Sequence, residues 1–154
     1  MRLASSTFCL ALLALAPLVQ AQPASLGTPP GAAAIVDRFK AAVVAGNLEG
    51  AAALVSDQAV VFEAGYVERT KAEFVSEHLP ADAAFLKQVR TQATRRTEGA
   101  AGDAAWVLTE GRSTGTYNGR AIDSITTETV VLRREPAGWR IVHIHSSSRP
   151  AQPN

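Results

Sequence analysis

The chain has 154 residues, 47% of them hydrophobic and 19% charged, with a formal net charge of +1. That length suits one domain around a single core. The balanced charge, with no basic run longer than Arg95-Arg96 or Arg133-Arg134, argues against a nucleic-acid partner, which calls for a basic face.

Residues 1–21 read as a cleaved signal peptide. Arg2 supplies the positive start, an apolar run extends from Phe8 to Val19, and Val19-Gln20-Ala21 offers a small-residue cleavage site. The run is shorter than the roughly 20 residues a membrane span requires, so no membrane span is expected. Cleavage would remove Cys9, the only cysteine, and leave a chain without disulfides or thiolate ligands. Without Arg2, 14 basic residues balance 14 acidic ones. The expected location is periplasmic or secreted.

Residues 22–31, rich in Pro, Gly and Ser, read as a disordered leader. From Ala32 the pattern turns helical: Ile35, Val36, Phe39 and Val43 recur at helical spacing, with Asp37, Arg38 and Lys40 on the other side. Gly46 ends this helix and Asn47 is placed to cap a shorter one reaching about Val55. Gln58–Glu63 reads as a strand. Thr70 and Glu73 have the spacing of a capping box, opening a helix that puts Phe74 and His78 on one face. Pro80 is expected to interrupt that helix, with a second segment after it.

After about Gln88 the chain reads as strands. The first turn is expected within residues 98–103, and Asn118-Gly119 is a strong signal for a two-residue hairpin. A third turn falls at residues 135–138, before the last strand from Trp139. Residues 150–154 form a tail. Helices followed by a run of strands indicate an α+β domain with one antiparallel sheet backed by helices.

The last strand, "WRIVHIHSSSR", with Trp139, Ile141, His145 and Ser147 at fixed spacing, carries a resemblance, supported by "TETVVLRRE" before it. Over residues 32–149 the chain resembles the NTF2-like superfamily. More closely it looks like the SnoaL-like branch and is similar to the association domain of calcium/calmodulin-dependent kinase II. The resemblance implies a cone: a curved sheet wrapped around the N-terminal helices, a pocket at the open end, and a homodimer formed through the sheet. It does not imply one chemistry, since this fold hosts isomerases, cyclases, dehydratases, hydrolases and binding modules. The Asp, Tyr and acid of the ketosteroid-isomerase-like members do not map onto this sequence.

Candidate functional residues follow from these placements. His143 and His145 stand two apart on a strand and so share a face, together with Trp139 and Ile141. His78 is the remaining histidine. If all three converge, they offer a site for Zn²⁺ or Cu²⁺ with an open fourth position, and Glu63, Glu68 or Glu128 as further ligands or orienting carboxylates. One histidine could instead act as acid or base beside Glu63, or each could simply bond neighbouring backbone. Glu63, Tyr66 and Glu68 lie in a dense polar loop at the expected rim. Glu128 alternates on one face with Val130 and Leu132, and Trp106 shares a face with Glu110. The expected function is binding of a small molecule by Glu63, Tyr66, Glu68, His78, Trp106, Glu128, His143 and His145. The alternatives are metal binding by His78, His143 and His145, and an acid–base enzyme (isomerase, dehydratase or hydrolase).

Overall fold

In the computed structural model, residues 31–151 are described; the expected signal peptide, most of the leader and the end of the tail lie outside them. Helix α1 (Ala32–Val44) buries Ala32, Val36, Phe39 and Val43, one stripe at spacings of three and four. Gly46, at φ 71°, turns the chain out of the helix. Asn47 caps α2 (Leu48–Ala52), its side-chain oxygen accepting from the Gly50 N–H at 2.9 Å.

Strand β1 (Val55–Glu63) and the short β2 (Tyr66–Glu68) form a hairpin through Ala64 and Gly65, both at positive φ. β2 lies in a stretch expected to be loop, since three residues are too few to show a period. Thr70 then caps α3 (Lys71–Glu73): its hydroxyl accepts from the Glu73 N–H, and the Glu73 carboxylate accepts from the Arg69 N–H at 2.6 Å.

Pro80 does not break the helical path, contrary to expectation. The chain passes from α3 through a single π-helical turn (Phe74–His78) into α4 (Leu79–Leu86). The Leu79 N–H donates to Phe74 O, a five-residue step. The wide turn accommodates a proline that has no N–H of its own to give.

The remaining strands are β3 (Val89–Ala101), β4 (Ala104–Tyr117), β5 (Arg120–Glu135) and β6 (Gly138–Pro150). β3 runs further than the sequence suggested, and its turn shrinks to Gly102-Asp103, since Ala101 pairs with Ala104. Asn118 and Gly119, at φ 48° and 75°, make the expected hairpin. The sheet order is β2-β1-β6-β5-β4-β3. β3 to β6 are an antiparallel meander, as expected, and β1 joins β6 in parallel.

One face of this curved sheet packs on the helices. Its core includes Val55, Val61, Val107, Val130, Leu132, Ile141 and Ile144 against Val36, Phe39, Phe74 and Leu79. Full burial of each large aliphatic side chain contributes about 1.5–3 kcal/mol. Core residues alternate along β5, with Val130 and Leu132 inward. On β6 the alternation breaks: Ile141 pairs with Leu132, while His143 pairs with Val131. Val142 is therefore an extra residue, a β-bulge that reverses which side chains face the core.

Candidate functional site

The bulge decides where the histidines go. Trp139, Ile141 and Ile144 are buried, so His143 and His145 stand on the opposite, outer face of the sheet. This corrects the expectation that they share a face with Trp139 and Ile141. His143 Nδ1 donates to the Val60 carbonyl at 2.8 Å. The Phe62 ring meets both imidazoles edge-on, with centroids at 5.0 and 5.9 Å. Trp106 pairs with Val131 and stands on that outer face too. His78 lies on the helical side, so the three histidines do not converge. The expected three-histidine metal site is not formed, for this reason.

A different group assembles on the inner face. Glu63 ends β1 two residues after the buried Val61, and Glu68 of β2 stands opposite Val61. Both reach His78, on the last position of the π-helical turn. His78 Nδ1 donates to Glu68 Oε1 at 2.7 Å, and Nε2 donates to Glu63 Oε2. An imidazole that donates from both nitrogens is an imidazolium. Burial alone would lower the His78 pKa, but the Glu68 hydrogen bond, the Asp82 charge and Glu63 together raise it above the usual value.

Asp82, one helical turn on from His78, brings Oδ1 to 3.5 Å from Nε2. Burial pushes its carboxyl up to about 7, against the opposing pull of His78, and Glu63, Glu128 and Glu68 add repulsion. The side chain still exposes 38% of its surface, so the group is recessed and reachable. Glu63 is similarly open at 40%, whereas His78 and Glu68 are largely enclosed. Glu68 Oε2 is buried without a hydrogen-bond partner among the described residues. Glu128, on the same inner face, is paired with Lys40 of α1 at 2.6 Å.

Of the sequence candidates, Glu63, Glu68 and His78 thus meet directly. Glu128 lies near enough to act on Asp82 and takes Lys40 as its partner, not a histidine. Tyr66 stands opposite Glu63 at the tip of the hairpin and is 74% exposed. The sequence reading missed Asp82 and Lys40. Asp82 follows His78 at the i,i+4 spacing of one helix face, a signal hidden once the helix was divided at Pro80. Glu63, His78 and Asp82 each offer a ligand atom within 4.8 Å of the others, a geometry that can hold a metal ion.

Among curated proteins none is similar enough to count as a relative. Solved structures are similar. A candidate ketosteroid isomerase from Shewanella frigidimarina is 33% identical, with 79% of this chain and 98% of that one covered and a TM-score of 0.74. A candidate calcium/calmodulin-dependent protein kinase II association domain from Xanthomonas campestris is 25% identical, covering 86% and 95% with a TM-score of 0.65. A candidate dehydratase of the NTF2-like family from Streptomyces avermitilis is 20% identical over 77% and 94%, at a TM-score of 0.65. The sequence profile of the SnoaL-like domain matches residues 32–152. The chain is therefore a member of the SnoaL-like family, within the NTF2-like superfamily.

Proposed function

We propose that this is an exported acid–base enzyme that binds a small, uncharged carbonyl compound on the inner face of its sheet and shifts a proton within it. The observation that carries the reading is His78, held at both ring nitrogens by Glu63 and Glu68 with the recessed Asp82 beside it. Burial and the neighbouring carboxylates push Asp82 toward its protonated form, while Glu63 accepts from the same imidazole. The pattern supplies an acid and a base at the same pH. Glu63, open to solvent, takes a proton from the carbon next to a carbonyl. Asp82, protonated, donates a hydrogen bond to the oxygen on which negative charge develops. Return of the same proton to another carbon completes an isomerisation with no co-reactant.

The similarity to a candidate isomerase and a candidate dehydratase supports this class of chemistry. Export to a periplasm is supported by the pattern of residues 1–21. Self-association through the outer sheet face is supported by its exposed Phe62, Val67 and Leu108 and by the similarity to a kinase association domain.

The test is deuterium exchange by NMR into a β,γ-unsaturated ketosteroid and a β-hydroxy ketone, in heavy water near neutral pH. Exchange accelerated by the protein, and lost in Glu63→Gln and Asp82→Asn, supports the reading. No acceleration with either probe, or acceleration unchanged in both variants, overturns it.

A second reading has its own observation: the Glu63, His78 and Asp82 ligand atoms lie together, with Glu68 orienting the imidazole from its other nitrogen. One nitrogen and two oxygens suit Zn²⁺ or Cu²⁺. Mass spectrometry of the protein purified without chelator decides it. Near-stoichiometric metal that is lost in His78→Ala but kept in His143→Ala would favour this reading over the first.

A further inference from the structure

The outer face of the sheet carries chemistry that the inner site does not use. Val67, Phe62, His145, Thr129, Leu108 and Thr97 lie in register across all six strands. Beside that row runs a second one of Val60, His143, Val131, Trp106 and Gly99. Phe62, Val67 and Leu108 are exposed by 37%, 41% and 38%, and the imidazoles are the only ionisable side chains in the two rows. Charge appears only at the margins. Along one side Glu110 faces Arg95 at 3.9 Å, beside Thr127 and Ser147, which bond one another at 2.8 Å. Along the other side Arg133 stands opposite Arg140 in the register and pairs with Glu135 at 3.0 Å. An uncharged centre with a charged rim is the anatomy of a protein interface. Six strands about 4.8 Å apart make it roughly 24 Å wide.

An uncharged patch complements itself, so a second copy of the chain fits it through a two-fold axis. β6 is in the interior of the sheet, so such a contact encloses His143 and His145 of both copies. On that face β1 presents Val60 and Phe62 to the imidazoles and β5 presents Thr129 and Val131. β4 adds Trp106 and Leu108, and β2 adds Val67. None of these can accept a charge. The carboxylates at the margins are already matched, Glu110 by Arg95 and Glu135 by Arg133 and the Ser56 hydroxyl. His143 already commits Nδ1 to the Val60 carbonyl, so a second proton would leave an imidazolium with nothing anionic beside it.

We infer that His143 and His145 make the self-association of this chain acid-sensitive: copies pair while the imidazoles are neutral and part when they gain protons. The inference rests on the self-association proposed above. Four imidazolium ions enclosed without a carboxylate would carry both a desolvation cost and mutual repulsion.

Sedimentation velocity of the mature chain at about pH 8 and about pH 5.5, with circular dichroism to confirm folding, tests both layers separately. The expected result is a dimer at the higher pH that weakens at least about tenfold at the lower one. The His143→Gln/His145→Gln double variant should remain a dimer at both, and Phe62→Glu should be monomeric at both. A wild-type dimer equally strong at both pH values overturns the acid sensitivity and leaves the dimer standing. A monomer at both overturns the self-association itself. A double variant that still parts in acid, or a dimeric Phe62→Glu, assigns the effect elsewhere and overturns the inference.

Discussion

Ile141 and Ile144 face the same core although three residues apart on one strand, which regular alternation does not allow. The extra residue, Val142, re-aims everything after it. Without the bulge, His143 and His145 would point into the helices and Ile144 outward. The bulge thus keeps the outer imidazole pair apart from Glu63, Glu68, His78 and Asp82.

The placement is directly measurable by stability. Ile144→Ala removes a side chain that is 6% exposed and should cost about 2–4 kcal/mol in urea denaturation. His145→Ala, on the exposed outer face, should cost less than about 1 kcal/mol. The reverse order would mean that β6 runs without a bulge.

Much of this arrangement was legible in the sequence. The Asn118-Gly119 hairpin, the Asn47 and Thr70 caps and the α1 stripe each rest on local rules that involve few residues, and each is present. Glu128 also fell on the face its strand neighbours Val130 and Leu132 indicated. The two failures that moved site residues have a common cause: each depended on a break in a period. One inserted residue in β6 reversed the face of two histidines, and one wide helical turn carried the helix past Pro80 to Asp82. Neither insertion has a side-chain signature, because a bulge and a π-helical turn are set by what packs against them. The parallel pairing of β1 with β6, which sets Glu63 beside Ser146, joins residues far apart in the chain and left no local trace.

Lys40 and Glu128 give a second test. Lys40→Met leaves the Glu128 carboxylate, 24% exposed, without its cation and near Asp82. The loss should be about 1–2 kcal/mol, and adding Glu128→Gln should recover most of it. A double-mutant cycle by thermal or urea unfolding measures the coupling. Additive losses would show that the 2.6 Å contact contributes nothing.

Gly99 faces the Trp106 ring so closely that an added Cβ would lie 2.3 Å from Cζ2. A glycine within a strand commonly marks such an approach. Gly99→Ala should therefore displace the indole and cost about 1–3 kcal/mol. Tryptophan fluorescence should shift to the red, and the same substitution placed in Trp106→Ala should cost markedly less. An unshifted spectrum would mean that the ring does not cover Gly99.

The pH dependence of stability follows from His78 and Asp82, and the sign is the same for both. Each has a folded-state pKa above its unfolded value, so the native state holds protons that the unfolded chain has released. For Asp82 the contribution is complete below about pH 4, the ordinary carboxyl range, and is lost as pH rises through about 7. His78 extends the same decline upward, since its stabilisation is lost as pH passes its raised value. The melting temperature should accordingly fall between about pH 5 and pH 8. Asp82→Asn removes the first contribution outright. It also takes away one of the charges that holds the His78 proton, so the variant's profile should be flatter, with its relative gain at the alkaline end. Melting curves of both proteins across that range decide the matter. Parallel profiles would mean that Asp82 ionises as freely in the fold as in the unfolded chain, and the proton donor of the proposed reaction would then have to be another group.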